Sequence, residues 1–452
     1  MNKLIVLAGV ALVAVGAYAD EAITTVINGV EWRFRINPET KTAILGHNTA
    51  TTGNAGREDK SLQACSDTID MDAADIPWEF DYGNIHYTVD TVGLAAFYKH
   101  GKLTGTLTIP ASVKEMRGYS FQDCRGLTRL VGGASVTNWK NAVFMNCTKM
   151  AGTYPDLSAV TVFDVQPFAN TALTGKLKLG DSLTSLGAGW VFFNCNFPEA
   201  VIPANVMTVG RNSALYGTFR ECDEMNAIWI KGPSTAANQT YTTVYCETFA
   251  EKCMSLKVVL MGKNTKGANM TTTGANAMFS GVDGVQVLVP DNGYWEGLVL
   301  GGGENNKAWY YGPNRELDLT IDEASKTVKF TPTTENALTN VVAWAPTFKR
   351  HFELDTVISL TNRIEMSVAI GEDALQNVTL EAPPWYLTFA VKNQTQLDNV
   401  LSAVSADTPI VIDIQGAGKN QIAVPEGRKV AILAKSGWTF GAKPNGLTIT
   451  FK

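Results

Sequence analysis

The sequence predicts a mainly β protein, in which a solenoid of stacked coils is followed by one or two small β-rich C-terminal domains. Three observations support this fold class. Phenylalanines recur every 23 to 30 residues between residues 97 and 279. Short apolar strands in the same region end at Ile-Pro or Val-Pro steps, and after residue 315 the repeat gives way to plain hairpin strands. A period of this length is typical of repeats that bury their apolar edges only by stacking.

The repeat unit is clearest in residues 104–124, TGTLTIPASVKEMRGYSFQDC. Its phenylalanine has counterparts along half of the chain, and several of them are followed three residues later by cysteine. The phenylalanines are Phe97, Phe121, Phe144, Phe168, Phe192, Phe219, Phe249 and Phe279, and the cysteines at the shared position are Cys124, Cys147, Cys195 and Cys222. Stacked coils should align these side chains in continuous internal ladders.

This unit resembles the BspA-type leucine-rich repeats of bacterial surface antigens, in which an apolar strand and an Ile-Pro step precede Ala-Phe-x-x-Cys-x-x-Leu. The resemblance covers about residues 94–290 and is specific in Pro110, Val113, Phe121, Cys124 and Leu127. It departs from the family before the phenylalanine, where Ser, Val, Pro or Thr replaces the usual Ala. It implies a leucine-rich-repeat solenoid and an exported binding or adhesion protein.

The N-terminus has the pattern of a secretory signal peptide. Lys3 precedes an apolar run, and Ala17-Tyr18-Ala19 forms a small-x-small cleavage site, so we expect cleavage after Ala19. No later stretch has the roughly 20 apolar residues of a membrane-spanning helix. The chain carries a formal net charge of -6 and no basic run, which makes nucleic acid a poor partner. We therefore expect a secreted or cell-surface protein without a transmembrane segment.

Changes in pattern divide the mature chain into four parts. Residues 20–93 are predicted to form an N-terminal cap, in which Trp32, Phe34 and Ile36 lie on one side of a hairpin and residues 47–75 form a long surface loop. Residues 94–314 form the solenoid, residues 315–392 a β-sandwich-like domain, and residues 393–452 a small module of one helix and short strands.

The C-terminal elements are predicted from alternation and helical spacing. Thr395 and Asp398 are expected to cap a helix whose apolar face contains Leu397, Val400 and Leu401. The predicted strands are Leu317–Ile321, Val328–Phe330, Val341–Trp344, Ile364–Ile370, Asn377–Leu380, Trp385–Val391, Ile410–Ile414, Gln421–Val424, Val430–Leu433 and Leu447–Phe451.

No catalytic or metal-binding signature occurs in the sequence. The four histidines are scattered, and HExxH, CxxC and GxSxG arrangements are lacking. We therefore predict a protein that is not an enzyme and needs no cofactor or metal. Two alternatives remain open. A glycan-processing hydrolase needs only two carboxylates that meet in space, and a structural envelope protein needs no site of either kind.

The seven cysteines suggest packing more than disulfide bonding. Side chains at one repeat position run parallel about 4.8 Å apart, whereas a disulfide needs Cβ atoms about 3.8 Å apart that converge. We therefore expect the ladder cysteines to be buried thiols. Cys246 lies off the ladder and could form a bridge with Cys253, and the state of Cys65 is left open.

The candidate binding residues are those that strand alternation places on the outside of the coils. A protein or glycan partner would contact this surface. Its members are Thr106, Thr108, Arg129, Lys176, Lys178, Trp229, Lys257 and Gln286. Trp229 has a second interpretation, because large aromatic side chains are usually buried and it could pack under an adjoining segment.

Overall fold

The computed structural model describes residues 21–51, 53–212, 217–234 and 240–360. Beyond residue 360 it describes residues 366–369, 375, 378–381, 387–408, 410–415, 424–425, 428 and 430–433. The predicted signal peptide and its cleavage site lie outside these residues, as do the strand predicted at Leu447–Phe451 and most of that at Gln421–Val424.

The N-terminal cap begins with three antiparallel strands. The predicted hairpin is confirmed as β2 and β3, and a further strand, β1, precedes it across a two-residue turn. Asn28 and Gly29 form this turn with φ of 51° and 80°, the left-handed conformation that Asn-Gly hairpins adopt. The cap strands are β1 (Glu21–Ile27), β2 (Val30–Asn37), β3 (Thr42–Leu45), β4 (Met71–Asp72), β5 (Glu79–Tyr82) and β6 (Ile85–Val92).

The predicted surface loop at residues 47–75 is partly buried. It contributes Ala64, Cys65 and Met71 to the main hydrophobic core, and β4 pairs in parallel with the first strand of the solenoid. The prediction of a surface loop is therefore wrong in this part, because a few apolar residues within the polar composition pack at the end of the core.

Parallel strands dominate the solenoid, and most coils contribute one strand to each of two rows. The first row contains β7 (Leu103–Ile109), β9 (Leu127–Gly132), β11 (Ala151–Thr153), β13 (Ala172–Thr174), β15 (Glu199–Ile202), β17 (Ala227–Ile230), β19 (Val258–Met261), β21 (Gln286–Pro290) and β22 (Lys307–Tyr311). The second row contains β8 (Glu115–Met116), β10 (Asn138–Trp139), β12 (Val162–Phe163), β14 (Ser185–Leu186), β16 (Thr208–Val209), β18 (Thr242–Tyr245) and β20 (Thr265–Ala268).

The phenylalanine ladder fills the space between the two rows. All eight repeat phenylalanines are fully buried. The Phe97 and Phe121 rings stack with centroids 4.8 Å apart, and the Phe121 and Phe144 rings are 5.4 Å apart. The predicted internal ladder is confirmed. The rings are stacked from Phe97 to Phe168 and from Phe192 to Phe219, and they meet edge-on from Phe219 to Phe279. These contacts couple neighbouring coils and leave distant ones independent.

The cysteine ladder runs beside the phenylalanine ladder. The Cys124 thiol donates to the Phe97 carbonyl at 3.0 Å and the Cys147 thiol to the Phe121 carbonyl at 3.1 Å. Three coils after Cys147, the Cys222 thiol donates to the Phe192 carbonyl at 2.8 Å. All seven cysteines are buried and free, so the bridge considered between Cys246 and Cys253 is not formed. Burial raises the pKa of the Cys124 thiol well above its usual value.

The C-terminal segment contains a long helix that the sequence analysis missed. β23 (Leu317–Asp322) and β24 (Thr327–Pro332) form the predicted hairpin, and α1 (Glu335–Phe352) follows. The strand predicted at Val341–Trp344 is wrong, since it lies inside α1. Thr334 caps the helix by accepting a hydrogen bond from the Ala337 amide, and the buried side chains of α1 recur at helical spacing.

After α1 the strands alternate between two mainly parallel sheets. β25 (Asp355–Ser359) and β27 (Val378–Glu381) continue the sheet that begins at β15, so this sheet crosses the predicted boundary at residue 314. β26 (Met366–Ala369), β28 (Leu387–Val391), β29 (Ile410–Ile414) and β30 (Val430–Leu433) form the second sheet. This arrangement differs from the predicted β-sandwich, whose strands would be antiparallel. The crossover through α1 joins β24 to β25 in parallel.

The one helix predicted from the sequence is present as α2 (Gln394–Ala403), with its cap two residues earlier than expected. The Asn393 side chain accepts a hydrogen bond from the Gln396 amide at 2.9 Å, and the Gln396 side chain accepts one from the Lys392 amide at 2.6 Å. Asn393 and Gln396 therefore take the capping roles that the sequence analysis assigned to Thr395 and Asp398.

Candidate functional site

The first strand row has an outward side, which we call the strand face. The structure divides this face into two halves of different character. In β17 and β19 every residue is buried, whereas β9 and β11 have exposed residues that point away from the core. We call the outward side of β7, β9, β11 and β13 the open half, and that of β15, β17, β19 and β21 the covered half.

Helix α1 lies on the covered half. Trp229 is only 4% exposed and packs against Phe352, with ring centroids 5.7 Å apart. Trp309 meets Trp344 edge-on at 5.2 Å. Val258, Leu260 and Leu288 join the same second hydrophobic core. Trp229 is therefore a core residue under the C-terminal helix, and its assignment as a binding residue is wrong.

Two other predicted binding residues are also displaced from an accessible strand face. Lys257 is exposed but precedes β19, in which Val258 and Leu260 face α1 while Val259 enters the solenoid core. The sequence analysis therefore placed the outward-facing residues of this coil one position too early. The Gln286 side chain is half-buried, and its carbonyl oxygen accepts a hydrogen bond from the Trp309 indole at 2.9 Å.

The open half contains the predicted residues that remain available to a partner. Thr106, Arg129 and Ala151 are paired in register across three adjacent strands, and Thr108 lies opposite Val131. Arg129 is exposed, and no hydrogen bond or ion pair of its side chain is seen among the described residues. Val131 is 39% exposed. This half therefore combines an unpaired cation, an exposed apolar side chain and threonines on a rigid parallel sheet.

An ion-pair cluster marks the boundary between the two halves. Lys176 lies 2.8 Å from the Glu353 carboxylate and 3.4 Å from that of Glu199, whose other oxygen is 3.1 Å from the His351 imidazole. Glu353 ends α1 in a left-handed conformation. The hydrogen bond from Lys176 lowers the pKa of Glu353, and the contact with Glu353 raises the pKa of Lys176. Lys176 therefore holds the end of α1 against the solenoid, in addition to lying on the predicted surface.

Lys178 remains on the surface beside the open half, in an ion pair with Asp156. Hydrogen bonds from Lys178 and Ser158 lower the pKa of Asp156 to about 2. The Lys178 side chain is 70% exposed, so its charge still faces solvent. Of the eight predicted residues, the open half and its border thus bring together Thr106, Thr108, Arg129, Lys176 and Lys178.

A shallow groove of about 430 Å³ lies on a different side of the coils, at a ladder of asparagines. The Asn194 amide donates to Asn170 at 2.6 Å, Asn170 donates to Asn146 at 2.8 Å, and Asn146 donates to Asp123 at 3.3 Å. These four residues all have positive φ, a conformation that Asn and Asp tolerate better than most residues. Asn and Asp are explained here by tight turns whose side chains bond from coil to coil. These residue types therefore do not indicate a ligand in the groove.

One buried cysteine–histidine pair resembles a nucleophile and base but lacks their chemistry. The Cys65 sulfur lies 3.7 Å from the His100 imidazole, and both residues are fully buried. Burial raises the pKa of Cys65 to about 12 and lowers the pKa of His100. Both groups are therefore neutral near pH 7, whereas a catalytic pair requires the thiolate and access to substrate. Within the described residues, no cluster of three or more His, Cys, Asp or Glu is placed to hold a metal ion.

Comparison with protein-family models agrees with the coil geometry. The model described as a BspA-type leucine-rich repeat region matches residues 79–196 and 153–269, with six copies. These coils are BspA-type leucine-rich repeats. The resemblance inferred from the Phe-x-x-Cys units is confirmed. No curated protein matches the chain.

The chain also matches solved structures at low sequence identity and low TM-score. A leucine-rich repeat protein from Bacteroides ovatus is 13% identical, with 88% of each chain covered and a TM-score of 0.35. A leucine-rich cell surface protein from Faecalibacterium prausnitzii is 14% identical, with 88% of this chain and 96% of that chain covered and a TM-score of 0.35. The pneumococcal vaccine antigen PcpA is 11% identical, with 88% and 100% covered and a TM-score of 0.34.

Proposed function

We propose that this chain is a secreted or cell-surface binding protein that engages an extracellular protein or glycan through the open half of its strand face, without catalysing a reaction. The leader predicted at residues 1–19 and the membership of the coils in the BspA-type repeats support an exported protein. Stacked repeats of this kind commonly use their extended strand surfaces for binding. In the described residues no helix is both long and apolar enough to cross a membrane.

The observation that carries the proposal is the exposed Arg129, which has no partner among the described residues, beside Val131 on a rigid sheet. Arginine is enriched at the energetic centre of interfaces because its guanidinium forms several directed hydrogen bonds. Parallel strands hold its backbone, so little order remains to be imposed when a partner binds. Thr106 and Thr108 add hydroxyl groups on the neighbouring strand, and Lys178 adds a second cation at the border.

The test begins with a labelled chain, without its leader, applied to glycan arrays and to arrays of extracellular matrix proteins. Arg129→Glu should then weaken binding to the ligand found by at least about tenfold, or ~1.4 kcal/mol. Arg125→Glu is the matched control. Arg125 belongs to the same coil and its side chain is 67% exposed, but it pairs with Asp123 away from the strand face.

Equal binding by the Arg129→Glu and Arg125→Glu variants would contradict the assignment of the open half. Turnover of an arrayed glycan by the unmodified chain would favour a hydrolase instead. Spontaneous assembly of the purified chain into layers or fibres would favour a structural envelope protein.

A further inference from the structure

The N-terminal strand β1 has an outer edge that pairs with nothing in the described part of the chain. β1 is the first strand of its sheet and pairs only with β2, and the His47 imidazole lies 2.6 Å from the Ile23 carbonyl. The turn at Asn28-Gly29 makes Ile27 and Val30 a hydrogen-bonded pair, so alternate residues Thr25 and Ile23 also bond to β2. The backbone N–H and C=O groups of the residues between them, Ala22, Thr24 and Val26, therefore point away from the sheet.

This edge lacks the features that normally prevent strand pairing between molecules. Proteins protect edges with short strands, lysine, proline or bulges. In the described sheets every other end strand has four residues or fewer, whereas β1 has seven. Its sequence, EAITTVI, has no lysine or proline, and its register with β2 is continuous. Five consecutive β-branched residues favour the extended conformation, and Val26 is 68% exposed.

The outer edge of β1 is also complementary to itself. If two copies pair antiparallel about Thr24, each Thr24 faces its counterpart, and Ala22 of one copy faces Val26 of the other. Each of these pairs consists of residues with outward backbone groups, so the register forms six hydrogen bonds between the two copies. Glu21, the one charged residue in β1, falls opposite Ile27, so no like charges meet.

We propose that β1 is a homodimerisation edge, at which a second copy of this chain adds its own β1 to form a continuous antiparallel sheet across a twofold axis. The partner is a second copy because the twofold register satisfies all three outward residues at once. Such an isologous contact closes on itself and ends at two chains. A single strand pair is a small interface, so the dimer forms as protein concentration rises.

Sedimentation equilibrium of the chain without its leader tests the proposal. The expected result is a concentration-dependent rise from the mass of one chain to that of two. Thr24→Lys and Thr24→Glu each place like charges opposite each other on the twofold axis, so each variant alone should stay monomeric at the concentrations where the unmodified chain dimerises. An equimolar mixture of the two variants should recover the dimer, because Lys then faces Glu.

Thr379→Lys is the matched control, since Thr379 is also an exposed threonine on an end strand but lies in β27, outside the open half. This variant should dimerise like the unmodified chain. Circular dichroism should be the same for all variants, because Thr24 is exposed and its N–H does not bond to β2. A monomeric unmodified chain, a dimer unaffected by Thr24→Lys, or a mixture that stays monomeric would each overturn the proposal. Binding of the β1 edge to another protein in place of a second copy would give the first of these outcomes.

Discussion

Replacing Phe121 by Ala should destabilise the solenoid by about 3 to 5 kcal/mol, the usual range for emptying a buried aromatic site. The structure favours the upper part of this range. The Phe121 ring is fully buried and lies between the Phe97 and Phe144 rings, with interplanar angles of 12° and 24°. Truncation removes two stacked contacts, each worth roughly 0.5 to 1.5 kcal/mol beyond the buried area.

The loss of stability should be concentrated in the coils next to Phe121, because coils interact only with their neighbours. Backbone hydrogen bonds link the affected coils, from the Phe97 amide to the Ser120 carbonyl at 2.7 Å and from the Phe121 amide to the Val143 carbonyl at 2.9 Å. Hydrogen exchange followed by mass spectrometry should show that the substitution speeds exchange at these amides, relative to the unmodified chain. Exchange in the coils around Phe249 should change less. Urea unfolding measures the accompanying loss of stability.

The matched control is Phe193→Ala, because Phe193 is half-buried and lies outside the ladder beside Trp190. It should cost clearly less than the Phe121 substitution. If Phe121→Ala left both the unfolding transition and the exchange of neighbouring amides unchanged, the ladder would not be the source of coupling between coils.

Three further predictions concern the thiols, the surface ion pair and the covered half. Native chain should not react at Cys124 with alkylating reagents until it unfolds, because the buried thiol donates to the Phe97 carbonyl; mass spectrometry of labelled peptides would detect any earlier reaction. The pair of Asp156 with Lys178 should stabilise the fold fully above the unfolded carboxyl pKa of about 3.9 and lose its effect as pH falls towards 2. Asp156→Asn should therefore reduce the loss of stability that thermal unfolding shows as pH falls. The reduction should be no more than about 1 kcal/mol, because the pair is so exposed. Trp229→Ala should lower stability by about 3 to 5 kcal/mol in urea unfolding, and a surface-sized loss near 0.5 kcal/mol would contradict its place under α1.

The solenoid could be predicted because its determinants are local and repeat. Each coil needs a large apolar residue such as Phe121 and a small buried residue such as Cys124 at fixed spacing, so the same pattern is visible several times. The N-terminal strand β1 was also within reach, since Asn28-Gly29 between apolar runs is a strong hairpin signal that the sequence analysis did not use.

Helix α1 was missed because its sequence contains signals that compete. Val341, Val342 and Trp344 favour a strand, and Pro346 lacks the amide that an inner helical turn requires. The helix forms nonetheless, because Ala337, Val341 and Phe348 among others bury one face against the sheet. This gain depends on tertiary contacts and outweighs local preference.

The two halves of the strand face explain where sequence reasoning about the binding site succeeded and where it failed. The alternation of apolar and polar residues at TGTLTI in β7 identifies a strand with one solvent-facing side. Thr106 is half-buried and Thr108 is exposed on that side, as expected. The runs AIWI in β17 and VVLM in β19 have no polar positions, a pattern typical of strands buried on both faces. That pattern indicates that something must cover Trp229, although it does not identify α1 as the cover. We therefore expect the proposed partner on the N-terminal half of the face, where Arg129 lies, because helix α1 covers the C-terminal half.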